Sequence, residues 1–262
     1  MNTRVVVLRG RTSDRAPGGA LGAQALGELL SDAPEPVGEP EPPRMQGYED
    51  DLRDSRAAIA TAGARLEAAL DAGEFPVLLA SDCSICLATL PAIARREPGA
   101  RVVWLDAHGD FNTPATTGSG FLGGMCLAAA CGRWDSGFGA GVDPRRVVVS
   151  DGRDLDPAER EELDRARVSV LPPARVPGSV RGERVFLHLD LDILDPAVMA
   201  AAVPAPGGLS ATQLRALLAQ LAAAAELIGV ELTAFEAPAD AAERERLAAV
   251  LADAVAPLLP TA

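Results

Sequence analysis

The 262-residue sequence contains no lysine: its 24 basic side chains are all arginines, and 37 aspartates and glutamates outnumber them. The formal net charge of −13 argues against nucleic acids and anionic membranes as partners, since both are themselves negatively charged. The sequence also has no apolar run near the ~18–20 residues that cross a bilayer. Its first residues are typical of a strand and not of a signal peptide, so we expect a cytoplasmic protein.

Disulfide and nucleotide-binding patterns are missing as well. The four cysteines lack the spacing of a secreted disulfide framework, which agrees with a cytoplasmic location. No lysine follows the glycines of residues 111–124, which argues against a phosphate-binding P-loop. No G-x-G-x-x-G sequence follows a predicted strand, so a dinucleotide site has no support.

What is present is a regular alternation of strand and helix patterns. Apolar residues make up 48% of the sequence, enough for a sizeable core. Strands are predicted at residues 5–8, 75–80, 102–105, 146–150, 168–171, 184–189 and 227–235. Helices are predicted between them, whereas residues 32–44 are acidic and rich in proline and should form a surface connection. The alternation predicts one α/β domain, residues 1–262, built on a mostly parallel sheet.

Two of these strands end in carboxylates at alternate positions. Asp106, His108 and Asp110 follow the strand at 102–105, and Asp190 and Asp192 end the strand at 184–189. Ligands of parallel sheets bind beyond the carboxyl ends of strands, where alternate side chains point to one side. Because buried carboxylates without a counterion are costly, the two groups indicate a divalent metal site. Two ions about 3.5–4 Å apart could share these ligands and lower the pKa of a bridging water.

Four segments together resemble one enzyme family. They are residues 106–114, 119–125, 154–157 and 190–196, and they occur in the order and spacing of the ureohydrolases, the family of arginases and agmatinases. The resemblance extends over residues 75–240. It implies a three-layer α/β/α fold, a manganese centre and hydrolysis of a guanidino compound, a small-molecule substrate.

Finer details resemble a subgroup of that family. The segments 83–91, 120–125 and 130–137 are similar to the Nω-hydroxy-L-arginine amidinohydrolases of D-cycloserine biosynthesis. This resemblance implies an enzyme of antibiotic biosynthesis that converts Nω-hydroxy-L-arginine to L-ornithine and hydroxyurea. Because members of the family form trimers or hexamers, it also implies a homo-oligomer.

The resemblance assigns a role to each residue of the two carboxylate groups. Asp106 and Asp190 would bridge two metal ions, Asp110 would bind the first ion, and His108 and Asp192 would bind the second. Asp110 and His108 would be the catalytic residues, with Asp110 orienting the attacking water and passing a proton to the leaving amine.

A second set of positions corresponds to the substrate contacts of the family. Asn112 and Ser119 would contact the carboxylate end of the substrate. Asp154 and Asp156 would lie near its amino group. A turn-capping role is the alternative for both of these aspartates.

Three positions depart from the arginase pattern. Cys83 stands where arginases have a histidine ligand of the first ion, and Gly123 stands where they have a histidine that shuttles protons. The glutamate that pairs with the guanidinium falls on Ala234 or Phe235, and Glu236 could be recruited only through a local slip. Thiolate prefers softer metals than manganese, so the centre is expected to hold one or two manganese ions, with a weak first position.

The departures keep other interpretations open. The chain could be a non-catalytic relative that binds a metal or small ligand. Cys83 is expected to be a metal ligand, and the alternatives are a buried inert thiol, a nucleophile or a ligand of a softer metal. His188 precedes Asp190 by two residues and is either a residue supporting the metal ligands or a satisfied core histidine. Trp104 is predicted to be core packing.

Overall fold

The structure, a computed structural model, describes residues 2–260. Its strands are β1 (Thr3–Leu8), β2 (Glu35–Val37), β3 (Phe75–Leu79), β4 (Arg101–Asp106), β5 (Val147–Asp151), β6 (Ser169–Val170), β7 (Arg184–Asp190) and β8 (Glu226–Thr233). Within the described range these eight strands form one parallel sheet in the order β2-β1-β3-β8-β7-β4-β5-β6. Sheets of this kind require cover on both faces, which explains why the central strands are apolar nearly throughout.

Helices cover the two faces of the sheet and form two apolar cores. They are α1 (Gly18–Leu30), α2 (Tyr48–Asp71), α3 (Cys86–Arg96), α4 (Cys126–Ala130), α5 (Pro157–Ala166), α6 (Val176–Ser179), α7 (Ala211–Ala224) and α8 (Ala241–Val255). One core lies between the sheet and α1, α6, α7 and α8. The other lies between the sheet and α2, α3, α4 and α5. The three-layer α/β/α prediction is therefore confirmed.

Polar side chains cap several helices where the sequence indicates it. Ser210 and Gln213 form a reciprocal capping box at the start of α7, and Asp240 accepts a hydrogen bond from the backbone of Glu243 at the start of α8. Asp82 does the same for the turn that leads into α3, accepting from the backbone N–H of Ser84 at 2.8 Å. These contacts fix where the chain re-enters a helix after leaving the sheet.

Most strand ends lie within two residues of the predicted ones, and two of the differences have a clear physical reason. Residues 32–44 contain a short strand, β2, which pairs with β1 at the edge of the sheet and buries Val37. A three-residue edge strand that includes a proline carries almost no sequence signal, because its pairing is purely tertiary. β8 ends at Thr233 and not at residue 235, because Ala234 adopts a left-handed conformation with φ 61°.

Across residues 2–260, the helices lack the combination of length and apolar character that crossing a bilayer would require.

Candidate active site

The four central strands β3, β8, β7 and β4 end at one edge of the sheet, and a cavity of about 430 Å³ opens there. This is the place where parallel sheets bind ligands. The cavity brings together the residues singled out from the sequence: Cys83, Asp106, His108, Asp110, Asn112, Ser119, Asp154, Asp156, Asp190 and Asp192. Two groups of candidate ligand atoms lie in its floor or directly beneath it.

The first group, here called the outer cluster, consists of Asp106, His108 and Asp192. Nδ1 of His108 lies 3.0 Å from Oδ2 of Asp192 and 3.4 Å from Oδ1 of Asp106. Backbone N–H groups hold the two carboxylates, since Ala107 donates to Asp192 at 3.1 Å and His108 donates to Asp106 at 2.6 Å. The outer cluster thus joins the end of β4 and the turn that follows it, which supply Asp106 and His108, to the turn after β7, which supplies Asp192.

The second group, here called the inner cluster, consists of Cys83, Asp106, His188 and Asp190, all of them buried. The thiol of Cys83 donates to Oδ2 of Asp190 at 2.8 Å. Its sulfur lies 3.2 Å from Nε2 of His188 and 3.9 Å from Oδ2 of Asp106. Three separate strands, β3, β4 and β7, contribute to this cluster, either directly or through the turn that follows them.

His188 is held by contacts on three sides. Its Nδ1 lies 2.8 Å from Oε1 of Glu231, the residue paired with it across the β7–β8 ladder. The other oxygen of Glu231 accepts a hydrogen bond from Thr89 at 2.6 Å. The indole of Trp104 stacks on the imidazole at 3.4 Å between ring centroids and donates to Asp106 at 3.0 Å. Trp104 therefore does more than the core packing predicted for it, because it orients an inner-cluster carboxylate.

The carboxylates repel one another strongly in this buried setting. Burial and the neighbouring Asp192 raise the pKa of Asp190 to about 7, and burial and Asp106 raise the pKa of Asp192 to about 6. Burial, with Asp106 next, raises the pKa of Asp110 well above its usual range. Although burial opposes it, hydrogen bonding to Asp106 and Asp192 raises the pKa of His108 to about 12. Crowded anions of this kind are stabilised by a bound cation.

The donor set also fits divalent metal ions. Each cluster offers carboxylate oxygens and one imidazole whose candidate ligand atoms lie within 4.8 Å of one another. Nε2 of His108 is buried and has no hydrogen-bond partner among the described residues. Oxygen and imidazole ligands suit manganese, iron and zinc, whereas the inner thiol favours the softer of these.

Asp110, the residue expected to bind the first ion, is buried and lines the cavity but belongs to neither cluster of candidate ligand atoms. Its backbone is in the left-handed region, with φ 47°, which is uncommon for a residue other than glycine and recurs at functional sites. Cys126 lies 3.8 Å from Oδ2 of Asp110. Gly123, the position expected to lack the proton-shuttle histidine, also lines the cavity.

The predicted substrate contacts form the mouth of the cavity. Asp154 and Asp156 are exposed there, and Asn112 is buried below them, with its amide 3.4 Å from Oδ2 of Asp156. Ser119 is exposed and accepts from the backbone N–H of Phe121 at 3.2 Å. These polar groups lie on the loops, at the opposite end of the cavity from the buried thiol.

The segment after β8 presents two residues to the cavity. Ala234 and Glu236 both line it, whereas Phe235 is buried in the core with its carbonyl packed closely against Gly22 of α1. The left-handed Ala234 and a hydrogen bond from the N–H of Glu236 to its carbonyl make this turn. The N–H of Gly18 then donates to Glu236 at 3.1 Å. Glu236 thus reaches the cavity without the slip that the sequence interpretation required.

Sequence reasoning missed three contributors to this site. It left His188 undecided between a supporting and a core role, assigned only packing to Trp104, and passed over Glu231. A signal was present for the last of these: Glu231 is the lone carboxylate in the apolar run 227–232, and a fully buried glutamate needs a partner.

Comparison with known proteins gives a consistent result. A family model described as the arginase family matches residues 44–257. An N(omega)-hydroxy-L-arginine amidinohydrolase of Streptomyces lavendulae is 39% identical over 98% of this chain and 97% of the relative. An arginase of Bacillus caldovelox is 32% identical over 82% of this chain and 79% of the relative. An arginase structure from Bacillus subtilis superimposes with a TM-score of 0.82 at 25% identity, covering 97% of each chain.

Proposed function

Because the chain belongs to the arginase family, we propose that it is a metal-dependent amidinohydrolase that converts Nω-hydroxy-L-arginine to L-ornithine and hydroxyurea. One observation carries the proposal: the carboxylates at the ends of β4 and β7 and the imidazole of His108 converge in a single cavity whose mouth is lined by polar groups. On the subgroup resemblance, we extend the proposal to a cytoplasmic enzyme of antibiotic biosynthesis.

The metal in this proposal is manganese, held most firmly in the outer cluster. Asp106, His108 and Asp192 would hold one ion with oxygen and imidazole ligands that suit manganese. Asp190, next to Asp106 in the inner cluster, would share in a second position that the thiol of Cys83 makes weak for this metal. When bound, the metal supplies an acidified water at neutral pH and positive charge for the transition state.

Asp110 is the proposed proton carrier. It is buried and lines the cavity together with Asp106, His108 and Asp192, where a carboxylate can accept a proton from water. In the proposed reaction it takes the proton from the attacking water and delivers it to the leaving nitrogen. Asn112, Ser119, Asp154 and Asp156 would bind the amino-acid end of the substrate at the mouth.

The segment after β8 supports the choice of substrate. Ala234 provides no charge for a guanidinium, and Glu236 is tied to the N–H of Gly18, with its pKa raised to about 7 by burial. A carboxyl group with a pKa near 7 is only partly ionised at neutral pH. It therefore stabilises the positively charged guanidinium of arginine less than a fully ionised carboxylate would, which favours the less basic N-hydroxyguanidine. Selection between the two substrates would therefore depend on Glu236 and on the missing charge at 234.

The test compares ornithine release from Nω-hydroxy-L-arginine and from L-arginine, with manganese in excess. We expect a higher kcat/KM for the hydroxylated substrate, and a ratio at least as large in Glu236→Gln, because its neutral amide offers no charge to the guanidinium of arginine. A ratio near one, or one favouring arginine, would reject the substrate assignment. Inactivity on both substrates despite bound manganese would support the non-catalytic interpretation.

A further inference from the structure

We infer that His188 is a metal ligand, and that with Cys83, Asp106 and Asp190 it makes the inner cluster a Cys–His–Asp₂ site for zinc, ferrous iron or another cation softer than manganese. Arginases supply an imidazole ligand from the position of Cys83. In this chain, His188 of β7 would supply the imidazole instead. The inference rests on the metal-binding part of the proposed function and does not depend on which guanidino compound is hydrolysed.

The geometry around Nε2 of His188 carries the first step. Nε2 lies 3.2 Å from the sulfur of Cys83 and 3.4 Å from the hydroxyl of Thr233. It belongs to a set of four candidate ligand atoms, with those of Cys83, Asp106 and Asp190, that all lie within 4.8 Å of one another. One cation could be reached from all four by small side-chain rotations.

The second step concerns the protonation of the imidazole. Nδ1 faces a carboxylate oxygen of Glu231 at 2.8 Å, and an ionised carboxylate can only accept hydrogen bonds. The proton of a neutral His188 is therefore on Nδ1, which leaves the Nε2 lone pair directed at the cluster. Metal-binding histidines are commonly fixed by a carboxylate on their other nitrogen in this way.

Glu231 is itself fixed, which makes it a positioning residue. Its second oxygen accepts from Thr89 on α3 at 2.6 Å, and its side chain is fully buried. The β7–β8 register places it directly opposite His188. A histidine present only to fill the core would not require a charged partner brought from the next strand, because a buried carboxylate is expensive.

The third step concerns the space around position 83. The sulfur of Cys83 already touches His188, Asp190 and Thr233 at 2.8–3.4 Å. An imidazole at position 83 would extend beyond the sulfur into the ring of His188, and overpacking of a buried site is destabilising. Histidines at both positions 83 and 188 would therefore not fit. The small side chain of Cys83 leaves the space that the imidazole of His188 occupies.

The ligand types decide the metal class. A thiolate, an imidazole and two carboxylates are four donors, the number that zinc takes in tetrahedral sites. Thiolate selects softer metals over manganese and magnesium. The inner cluster therefore differs from the outer cluster in metal preference as well as in position.

The experiment uses cobalt(II) alone as the probe and exploits the presence of only two histidines in the chain. In His108→Asn, His188 is the single remaining imidazole. We expect cobalt to bind this variant with a thiolate-to-cobalt charge-transfer band, and with one strongly shifted exchangeable imidazole N–H resonance that Glu231 protects from solvent. Labelling histidine with ¹⁵N assigns that resonance.

Two further variants separate the ligands. In His108→Asn/Cys83→Ser, the charge-transfer band should disappear while the shifted N–H remains. In His108→Asn/Glu231→Gln, cobalt affinity should fall roughly 10–100-fold, as for other residues that orient a ligand. Glu162→Gln in the same background changes a glutamate of α5 that pairs with Arg133 at 2.9 Å away from the cavity lining, and should leave cobalt affinity unchanged.

The readings distinguish this inference from the proposed function. Cobalt bound to His108→Asn with a charge-transfer band but without a shifted imidazole proton would show that His188 is not a ligand, and the proposed function would stand. Failure of His108→Asn to bind cobalt, when the unmutated protein binds it, would also overturn the inference. Failure of the unmutated protein to bind cobalt, manganese or zinc would overturn both.

Discussion

The outer and inner clusters share Asp106 but differ in how the fold builds them. The imidazole of His108 is 19% exposed and lies on the turn that follows β4, two residues from Asp106. The imidazole of His188 is fully buried within β7, beneath the cavity, and its partner comes from β8. The outer cluster takes two of its three members from one short segment and is partly exposed only at His108, whereas the inner cluster takes its four members from three strands or the turns after them and is buried throughout. Metal exchange, protonation and tolerance of substitution should differ accordingly.

The largest effect is expected from the residue in the inner cluster that also supports the outer one. Asp190 accepts from Cys83 and, through its other oxygen, from the backbone N–H of Asp192 at 2.7 Å. Asp190→Asn should therefore lose metal from both clusters and abolish amidinohydrolase activity, as measured by metal analysis and ornithine release. Asp195→Asn is a matched control outside both clusters. Full metal content in Asp190→Asn would contradict the idea that the clusters form one centre.

A smaller effect is expected from exchanging the two residues that compete for space. We expect the unmutated protein, reconstituted with excess manganese, to hold nearer one ion than two per chain. Cys83→His alone should bind little additional manganese. The sulfur of Cys83 already lies 3.2 Å from Nε2 of His188, so a larger imidazole at position 83 would collide with the ring of His188. Cys83→His/His188→Ser should approach two ions per chain. Two manganese ions per chain already present in the unmutated protein would refute the prediction that the two clusters bind manganese unequally.

The same contrast explains what could be predicted from the sequence. The outer cluster was accessible because Asp106 and His108 are two residues apart at the end of one apolar strand, and Asp192 follows Asp190 at the same spacing at the end of another. The three-layer fold was accessible through the alternation of strands and helices. Both depend on local patterns and on the resemblance to a known family.

The inner cluster could not be predicted from local patterns, because it depends on the contact between His188 and Glu231, which lie on different strands. Nothing in the separate sequences of β7 and β8 states that His188 lies opposite Glu231, since that register, with its irregularity near Val185, exists only in the assembled sheet. The end of β8 was missed for a related reason. The left-handed Ala234 turns the chain so that Glu236 lines the cavity, and alanine carries no sequence signal for that conformation.

The smallest effect concerns the stability of the metal-free protein, and it again separates the clusters. The pKa of Asp192 is raised to about 6 and that of Asp190 to about 7, above the ordinary value of 3.8. Between the ordinary and the raised pKa the folded protein holds a proton that the unfolded chain has released. Stability must therefore fall as pH rises through this window, by about 1.4 kcal/mol per pH unit for each retained proton.

Urea unfolding in a chelator at pH 5, 6, 7 and 8 measures this dependence. The metal-free protein should be most stable at the lowest of these pH values, and excess manganese should reverse the trend, because the cation favours the ionised carboxylates. Asp192→Asn should reduce the slope below about pH 6 and Asp190→Asn the slope up to about pH 7, while Asp14, Glu159 and Glu236, whose pKa values burial also raises, keep the remainder. A metal-free protein that gains stability from pH 5 to 8 would show that the carboxylates are ionised in the fold without a cation. Equal slopes in the two variants would show that the inner and outer clusters titrate as a single unit.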